Sequence, residues 1–363
     1  MPLQRLKRYA LGAGGMLVLV ALIVSGTVLG ATSASARESV FPGRNGRILL
    51  DQGCVRGGQG DRLSCGFRYV TMKTDGSSFR VLRSSKRWYG PRWSPDGQRV
   101  LVASGVFTEQ PTSISVLKPT GGKVISVWGR RRGFRTDLSV GEPDWLSGKQ
   151  IVFLGWKRSR TGIYRMALDG TRLRKLRVFS GGVHALRASP DGRRLAFNHY
   201  VARTNTNDLY VMNANGSGLR LVRSRCELAQ ADWSPDSRRL LAVSADWRYG
   251  PGSECALDRD VELIPAKGGA ATHVFTEKYV MTGPGQGYGL YPPRPVFSPD
   301  GTRIAFLVQR LPPTGWRGTN SVWVMKPNGT GLRELRHAEV VLNENGCVRC
   351  VGYASIAWQP LRR

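Results

Sequence analysis

The stretch FSPDGTRIAFLVQRLPPTGWRGTNSVWVMKPNGTGLREL, residues 297–335, reads as one complete supersecondary unit. Phe297 closes a first strand, and Ser298-Pro299-Asp300-Gly301 makes a tight turn. Proline presets φ, the aspartate caps the turn with its carboxylate, and glycine takes the left-handed position. Residues 302–308 form a second strand, apolar at nearly every position, as expected where both faces are covered. A third strand spans 321–325, Asn328-Gly329 is a strong hairpin signal, and a fourth strand occupies 331–335. Such a meander cannot bury both faces alone, so it predicts neighbours of its own kind.

Those neighbours are present. The turn and second strand recur as WSPDGQRVLVAS (93–104), ASPDGRRLAFNHY (188–200), WSPDSRRLLAVSA (233–245) and, degraded, DWLSGKQIVFLGW (144–156). The second hairpin recurs as VTMKTDGSSFRVL from Val70, ISVLKPTGGKVISV from Ile114, YRMALDGTRLRKL from Tyr164, YVMNANGSGLRLV from Tyr210 and ELIPAKGGAATHV from Glu262. Six second hairpins thus stand against five first hairpins. Residues 45–50 (NGRILL) supply a second strand with no first strand before it, and 355–360 (SIAWQP) a first strand with no second strand after it. Joined, they complete blade one and close a ring without free sheet edges at the seam. The expected fold is all-β: a six-bladed β-propeller of four-stranded antiparallel blades, closed by the C-terminal strand completing blade one.

In its SPDG turn, strand and hairpin pattern the chain resembles the TolB-like, WD-repeat-like β-propeller family, from about Phe41 to the end. The resemblance implies an exported six-bladed propeller working as a binding platform. It also implies a departure, because the residues ahead of blade one leave no room for the α/β domain that precedes the propeller in TolB. The propeller of prolyl-oligopeptidase-like enzymes is similar too, but no G-x-S-x-G elbow or hydrolase domain accompanies it here.

Residues 1–36 read as a signal peptide. Arg5, Lys7 and Arg8 form its positive start, an uncharged apolar run follows, and Ala34-Ser35-Ala36 is an A-x-A cleavage site. The run approaches the roughly 20 residues needed to span a bilayer, so an uncleaved membrane anchor is the competing reading. Residues 37–44 are a linker and 45–363 the propeller. Either way the propeller is expected outside the cytoplasm, secreted or extracytoplasmic.

Six cysteines in an exported chain favour disulfides. Cys54 with Cys65, Cys226 with Cys255, and Cys347 with Cys350 are the simplest pairings; exchange among Cys54, Cys65, Cys347 and Cys350 is the alternative, because blade six abuts blade one. No metal site and no cofactor are expected.

The formal charge is +29, from 54 Lys and Arg against 25 Asp and Glu. Part of it falls on the outermost strands, at Arg80, Arg172, Arg174, Lys175, Arg220, Arg333 and Arg336, where charge discourages edge-to-edge aggregation. The rest follows loop geometry. The first and third turns of each blade share one face of the ring and are short. The long insertions 51–66, 128–141, 246–258, 276–293, 309–319 and 337–352 fall on the other, connection face. That face is basic and aromatic, with Arg130, Arg131, Arg132 and Arg135 beside Trp88, Trp247, Tyr249, Tyr288, Tyr291, Trp316 and Arg317. Arginine offers planar forks to carboxylate or phosphate, and the rings offer flat apolar surface.

The expected partner is an acidic protein or an anionic envelope polymer, bound by a monomeric propeller. Nucleic acid is disfavoured for an exported chain without a nucleic-acid motif. Membrane contact is expected only if the N-terminal segment is retained as an anchor. The SPDG aspartates Asp96, Asp191, Asp236 and Asp300 are turn residues, and Trp93, Trp233, Trp358 and Phe297 are expected to pack between blades. No catalytic residue is assigned. A propeller-fold lyase or hydrolase at the channel mouth is the alternative, and it would require His184, His199 and a carboxylate to converge.

Overall fold

A computed structural model describes residues 43–56, 64–85, 88–104, 113–119, 124–129, 138–225, 227–245, 259–277, 281–283, 286–287, 295–310, 317–341, 349–350 and 352–361. The N-terminal segment 1–36 and most of the linker lie outside the described residues.

Strands β1 (Arg44–Arg56), β2 (Ser64–Met72) and β3 (Arg80–Ser85) begin blade one. Blade two is β4 (Trp88–Trp93), β5 (Val100–Ser104), β6 (Ser113–Leu117) and β7 (Ile125–Trp128). Blade three is β8 (Ser139–Ser147), β9 (Gln150–Lys157), β10 (Arg160–Ala167) and β11 (Arg174–Ser180). Blade four is β12 (Val183–Ala188), β13 (Arg194–Val201), β14 (Thr206–Asn213) and β15 (Arg220–Arg223). Blade five is β16 (Glu227–Trp233), β17 (Arg239–Ala245), β18 (Arg259–Pro265) and β19 (Thr272–Glu277). A small hairpin, β20 (Met281–Gly283) with β21 (Gln286–Gly287), precedes blade six. That blade comprises β22 (Val296–Phe297), β23 (Ile304–Arg310), β24 (Arg317–Met325), β25 (Arg333–Val341) and β26 (Arg349–Cys350), and β27 (Gly352–Leu361) ends the chain.

The ring closes as expected. Blade one has the order β27-β1-β2-β3, with Asn45 opposite Pro360, Ile48 opposite Trp358 and Leu50 opposite Ile356. The first strands touch one another in succession, β27, β4, β8, β12, β16 and β22, and β22 returns to β27. They therefore surround the axis.

Each buried cluster lies between two blades. Leu101 of blade two packs with Trp145 and Ile151 of blade three, and Ala196 of blade four with Trp233 and Leu240 of blade five. Ile48 and Leu50 of blade one likewise meet Ala305 and Val324 of blade six. Where a tryptophan precedes the turn, it is the inter-blade residue. Trp145 Nε1 donates to the Arg92 carbonyl of the blade before it at 3.1 Å, and Trp233 Nε1 to the Arg187 carbonyl at 3.2 Å.

Within the SPDG turns the serine hydroxyl donates to the aspartate, as in Ser189 to Asp191 at 2.5 Å, and the same carboxylate accepts the Arg193 amide at 3.0 Å. Glycine is required on two counts at Gly329, whose φ is +80° and whose Cβ position is occupied by the Val274 carbonyl of blade five. The same site in the SPDG series is filled by Ser237 in blade five, at φ 60°.

Three details go beyond the expected strands. The four strands of blade six carry a two-residue addition, β26, which pairs outside β25 with Cys350 opposite Val340. The insertion at 51–66 is largely regular: β1 and β2 continue to an Arg56–Ser64 pair, since the backbone ladder runs on past the core. The insertion at 309–319 is shortened in the same way, as β23 and β24 pair out to Arg310 and Thr319.

Candidate functional site

The centre of the ring holds the most perturbed titratable groups among the described residues. In every first strand one position directly precedes the inter-blade residue, an aromatic in five blades and Ala188 in blade four, and lies opposite the middle of the second strand. Register identifies these as Arg92 (opposite Leu101), Asp144 (Val152), Arg187 (Ala196), Asp232 (Leu241), Val296 (Ala305) and Ala357 (Leu49). Four consecutive blades thus present arginine, aspartate, arginine, aspartate. A bulge precedes the position in β4, β8, β12 and β16. The extra residue kinks the strand and re-aims the side chain that follows.

Arg92 acts electrostatically on both Asp144 and Asp232, and Asp232 acts on Asp144. Blades two and five are opposite members of a six-membered ring, so this coupling spans the channel. Both carboxylates keep some solvent-accessible surface while protein surrounds them, as befits channel-lining groups. Burial pushes each up to about 6, against the opposing pull of Arg92 and of backbone amides.

The amides come largely from the next blade. Asp144 Oδ2 accepts the Ala188 N–H at 2.9 Å and Asp232 Oδ2 accepts the Phe297 N–H at 3.1 Å. Glu142, held at φ 46°, adds a second clasp between blades three and four by accepting the Leu186 N–H at 3.1 Å. Arg187 turns to its own chain and donates to the Leu186 carbonyl at 2.6 Å. The cluster can exchange protons near neutrality, but each clasp already uses a carboxylate oxygen.

The histidines do not assemble as the enzymatic reading requires. His184 on β12 is held below the usual imidazole range, first by burial and then by His199. His199 Nε2 lies 2.9 Å from the Ser180 carbonyl, and its ring packs near Phe179 and Tyr210. Asp208 stands opposite His199 in the β13–β14 ladder, yet its carboxylate accepts the Ser224 hydroxyl at 2.5 Å. No group of three or more His, Cys, Asp or Glu able to hold a metal forms among the described residues.

Trp88 opens β4 and Arg317 opens β24, so both backbones border the connection face; their side chains lie outside the described residues. Arg130, Arg131, Arg132, Arg135, Trp247, Tyr249, Tyr288, Tyr291 and Trp316 also lie outside them. The same holds for Cys226, Cys255 and Cys347, whereas the β1–β2 ladder sets Cys54 opposite Gly66 and Cys65 opposite Val55.

Sequence reasoning missed the channel residues, although Arg92, Asp144 and Asp232 each stand one place before a tryptophan and Arg187 takes the same place before Ala188. It also missed the arginine that follows each SPDG turn. Arg99 lies 4.9 Å over the Trp145 ring and Arg194 lies 5.1 Å over Trp233, each crossing to the next blade. On the rim, edge protection is only part of the account. Arg220 donates to the Ala266 carbonyl of blade five at 2.6 Å, and Arg336 lies 4.1 Å over Phe79 of blade one.

Comparison with solved structures finds this architecture repeatedly. TolB from Acinetobacter baumannii superposes with a TM-score of 0.59 at 19% identity, over 87% of this chain and 67% of that one. The fold is that of a TolB-like six-bladed β-propeller. A chain from the nidogen/laminin complex is similar at TM-score 0.56 and 14% identity, covering 88% of this chain and 100% of its own. Oligogalacturonate lyase in complex with manganese follows at 0.50 and 12% identity, over 75% and 72%. No family model and no curated protein matches the sequence.

Proposed function

We propose that this TolB-like propeller is an exported, monomeric, non-catalytic platform that binds or scaffolds an acidic envelope partner, protein, glycan or anionic polymer, through its basic and aromatic connection face. The carrying observation is where the carboxylates go. Asp96, Asp191, Asp236 and Asp300 are consumed by SPDG turns, and Asp144 and Asp232 by inter-blade clasps. Glu262 is taken by Arg223 at 2.8 Å and by the Ser244 hydroxyl. With 25 acids against 54 cations and many of the acids committed inside, the surface is left strongly positive. Such a field attracts polyanions and speeds their encounter. The similarity to a propeller from the nidogen/laminin complex supports a protein among the candidate partners.

The second reading, a propeller-fold lyase or hydrolase at the channel mouth, draws on Asp144 and Asp232, whose values near 6 suit acid–base work. Their engagement with backbone amides favours the binding reading.

The test is charge reversal of Arg130, Arg131 and Arg132 to Glu, with binding to polyglutamate and polygalacturonate followed against salt. Reversal of Arg193, Arg238 and Lys267, which are exposed by the short turns, is the control. Selective loss in the first variant, shrinking as the Debye length falls below about 8 Å, supports the connection face. Equal loss in both reduces the attraction to bulk charge and overturns the face assignment.

A further inference from the structure

The outer hairpin of blade three is a like-charged sheet. Between residues 157 and 177 the chain carries eight Lys and Arg and one carboxylate, Asp169, which is spent on the Thr171 amide and hydroxyl. Register sets Arg165 directly opposite Arg174, and Lys157 directly opposite Arg160. Like charges facing each other across a ladder are destabilising. The two pairs lie in one blade, about 16 Å apart along β10 at the usual strand rise.

β11 is also an open edge. From Thr171 to Ser180 no residue is buried and only Leu176 and Phe179 are partly covered, whereas Val127, Val222 and Val274 are buried in β7, β15 and β19. Leu173 and Val178 are 41% and 39% exposed, set among the cations. Rim arginines of blades four and six are tied to the next blade, but the side chains of Arg174 and Lys175 make no hydrogen bond or ion pair among the described residues. Blade six shows that a fourth strand of this fold accepts another: β26 pairs on β25 at Val340 and Val341.

We infer that β11 is a docking edge for an extended acidic peptide segment, which adds to blade three as a fifth strand. Its main chain takes the outward-facing hydrogen-bonding groups of β11 other than the Leu176 carbonyl, which lies against Gly216 of blade four, its carboxylates relieve the Arg165–Arg174 repulsion, and its apolar side chains cover Leu173 and Val178. A second copy of this chain does not fit, because its own β11 would oppose cations with cations. A polyphosphate has no use for the apolar positions. This surface is separate from the connection face, and the inference does not rest on that reading.

The probe is a synthetic eight-residue peptide alternating Glu and Val, tested by fluorescence anisotropy and amide hydrogen exchange on the full protein. The expected result is binding that protects the β11 amides and weakens by about tenfold or more in R174E/K175E or when alternate peptide nitrogens are methylated. The triple Glu variant at Arg130, Arg131 and Arg132 should bind the peptide as before, which separates failure here from failure of the connection face. R165L, with no ligand present, should melt higher, since it removes one side of a like-charge pair. Undiminished binding by the methylated peptide, equal binding by polyphosphate or anionic vesicles without β11 protection, or a lower melting point for R165L would each overturn the proposal.

Discussion

The Arg194 guanidinium lies 5.1 Å above the Trp233 ring, across the seam between blades four and five, and donates to the Ser237 carbonyl at 2.5 Å. One side chain thus ties two blades through a ring face and a backbone acceptor. Arg194→Ala is expected to destabilise by about 1–3 kcal/mol, and Arg194→Lys to recover only part of it, because a point charge lacks the planar fork. Urea midpoints at constant slope measure both. A Lys variant as stable as the parent would show that charge alone suffices.

Ring closure has a direct test. Deleting the chain from Ser355 onward removes most of β27, including the partners of Ile48, Leu49 and Leu50, and exposes β1 as an edge beside buried apolar surface. Loss of cooperative unfolding or of solubility is expected. A truncated protein with unchanged melting behaviour would contradict the closure.

The channel carboxylates give a pH signature. Both have folded values near 6, raised above the ordinary carboxylate value of 3.8. Between those values the folded state binds more protons than the unfolded one, so this contribution to stability is fully present below pH 4 and lost as pH rises through 6. Asp144→Asn keeps an acceptor for the Ala188 amide and is expected to flatten that limb, with little loss at pH 7.5. Asp144→Ala abandons the amide and should cost about 1–3 kcal/mol. Melting temperatures from pH 4 to 8 distinguish them. An Asn variant that keeps the parent's slope would remove Asp144 from the account.

Two glycines in one turn separate strain from clash. Gly329 and Gly331 both have positive φ, but only Gly329 has a neighbouring blade's carbonyl where a Cβ would go; Gly331 faces the flexible Lys326 side chain at 3.9 Å. Gly331→Ala is expected to cost about 1 kcal/mol from backbone strain. Gly329→Ala should cost clearly more, since the Val274 backbone must move. Equal denaturation midpoints would mean that the seam between blades five and six yields easily.

The fold was legible because SPDG and NG turns impose their residues locally, whatever the chain does elsewhere. Closure was legible from a mismatch in counts that only a ring resolves. The channel was not. Arg92 and Asp232 directly precede Trp93 and Trp233 in the repeats, but a strand position reveals which way it faces only once the bulge before it is known. Arg99 and Arg194 carried no signal, because stacking on the next blade's tryptophan is a long-range contact with no local mark. The like-charge pairs of blade three depend on register, and a bulge after Ile163 shifts that register by one residue.

The pairing of Ile48 with Trp358 also constrains how the molecule comes into being. Its first-made strand waits for nearly the last residues of the chain. At about 5–20 residues per second of synthesis, that wait lasts roughly 15–60 seconds. Throughout it, β1 is a hydrophobic strand lacking its eventual inner neighbour. Blades two to five can assemble on one another as they emerge, so late assembly is the joining of two ends of an arc. The vulnerable moment for this protein is the interval before its tail arrives, and a nascent chain stalled short of β27 should be the species that proteases and holding chaperones find.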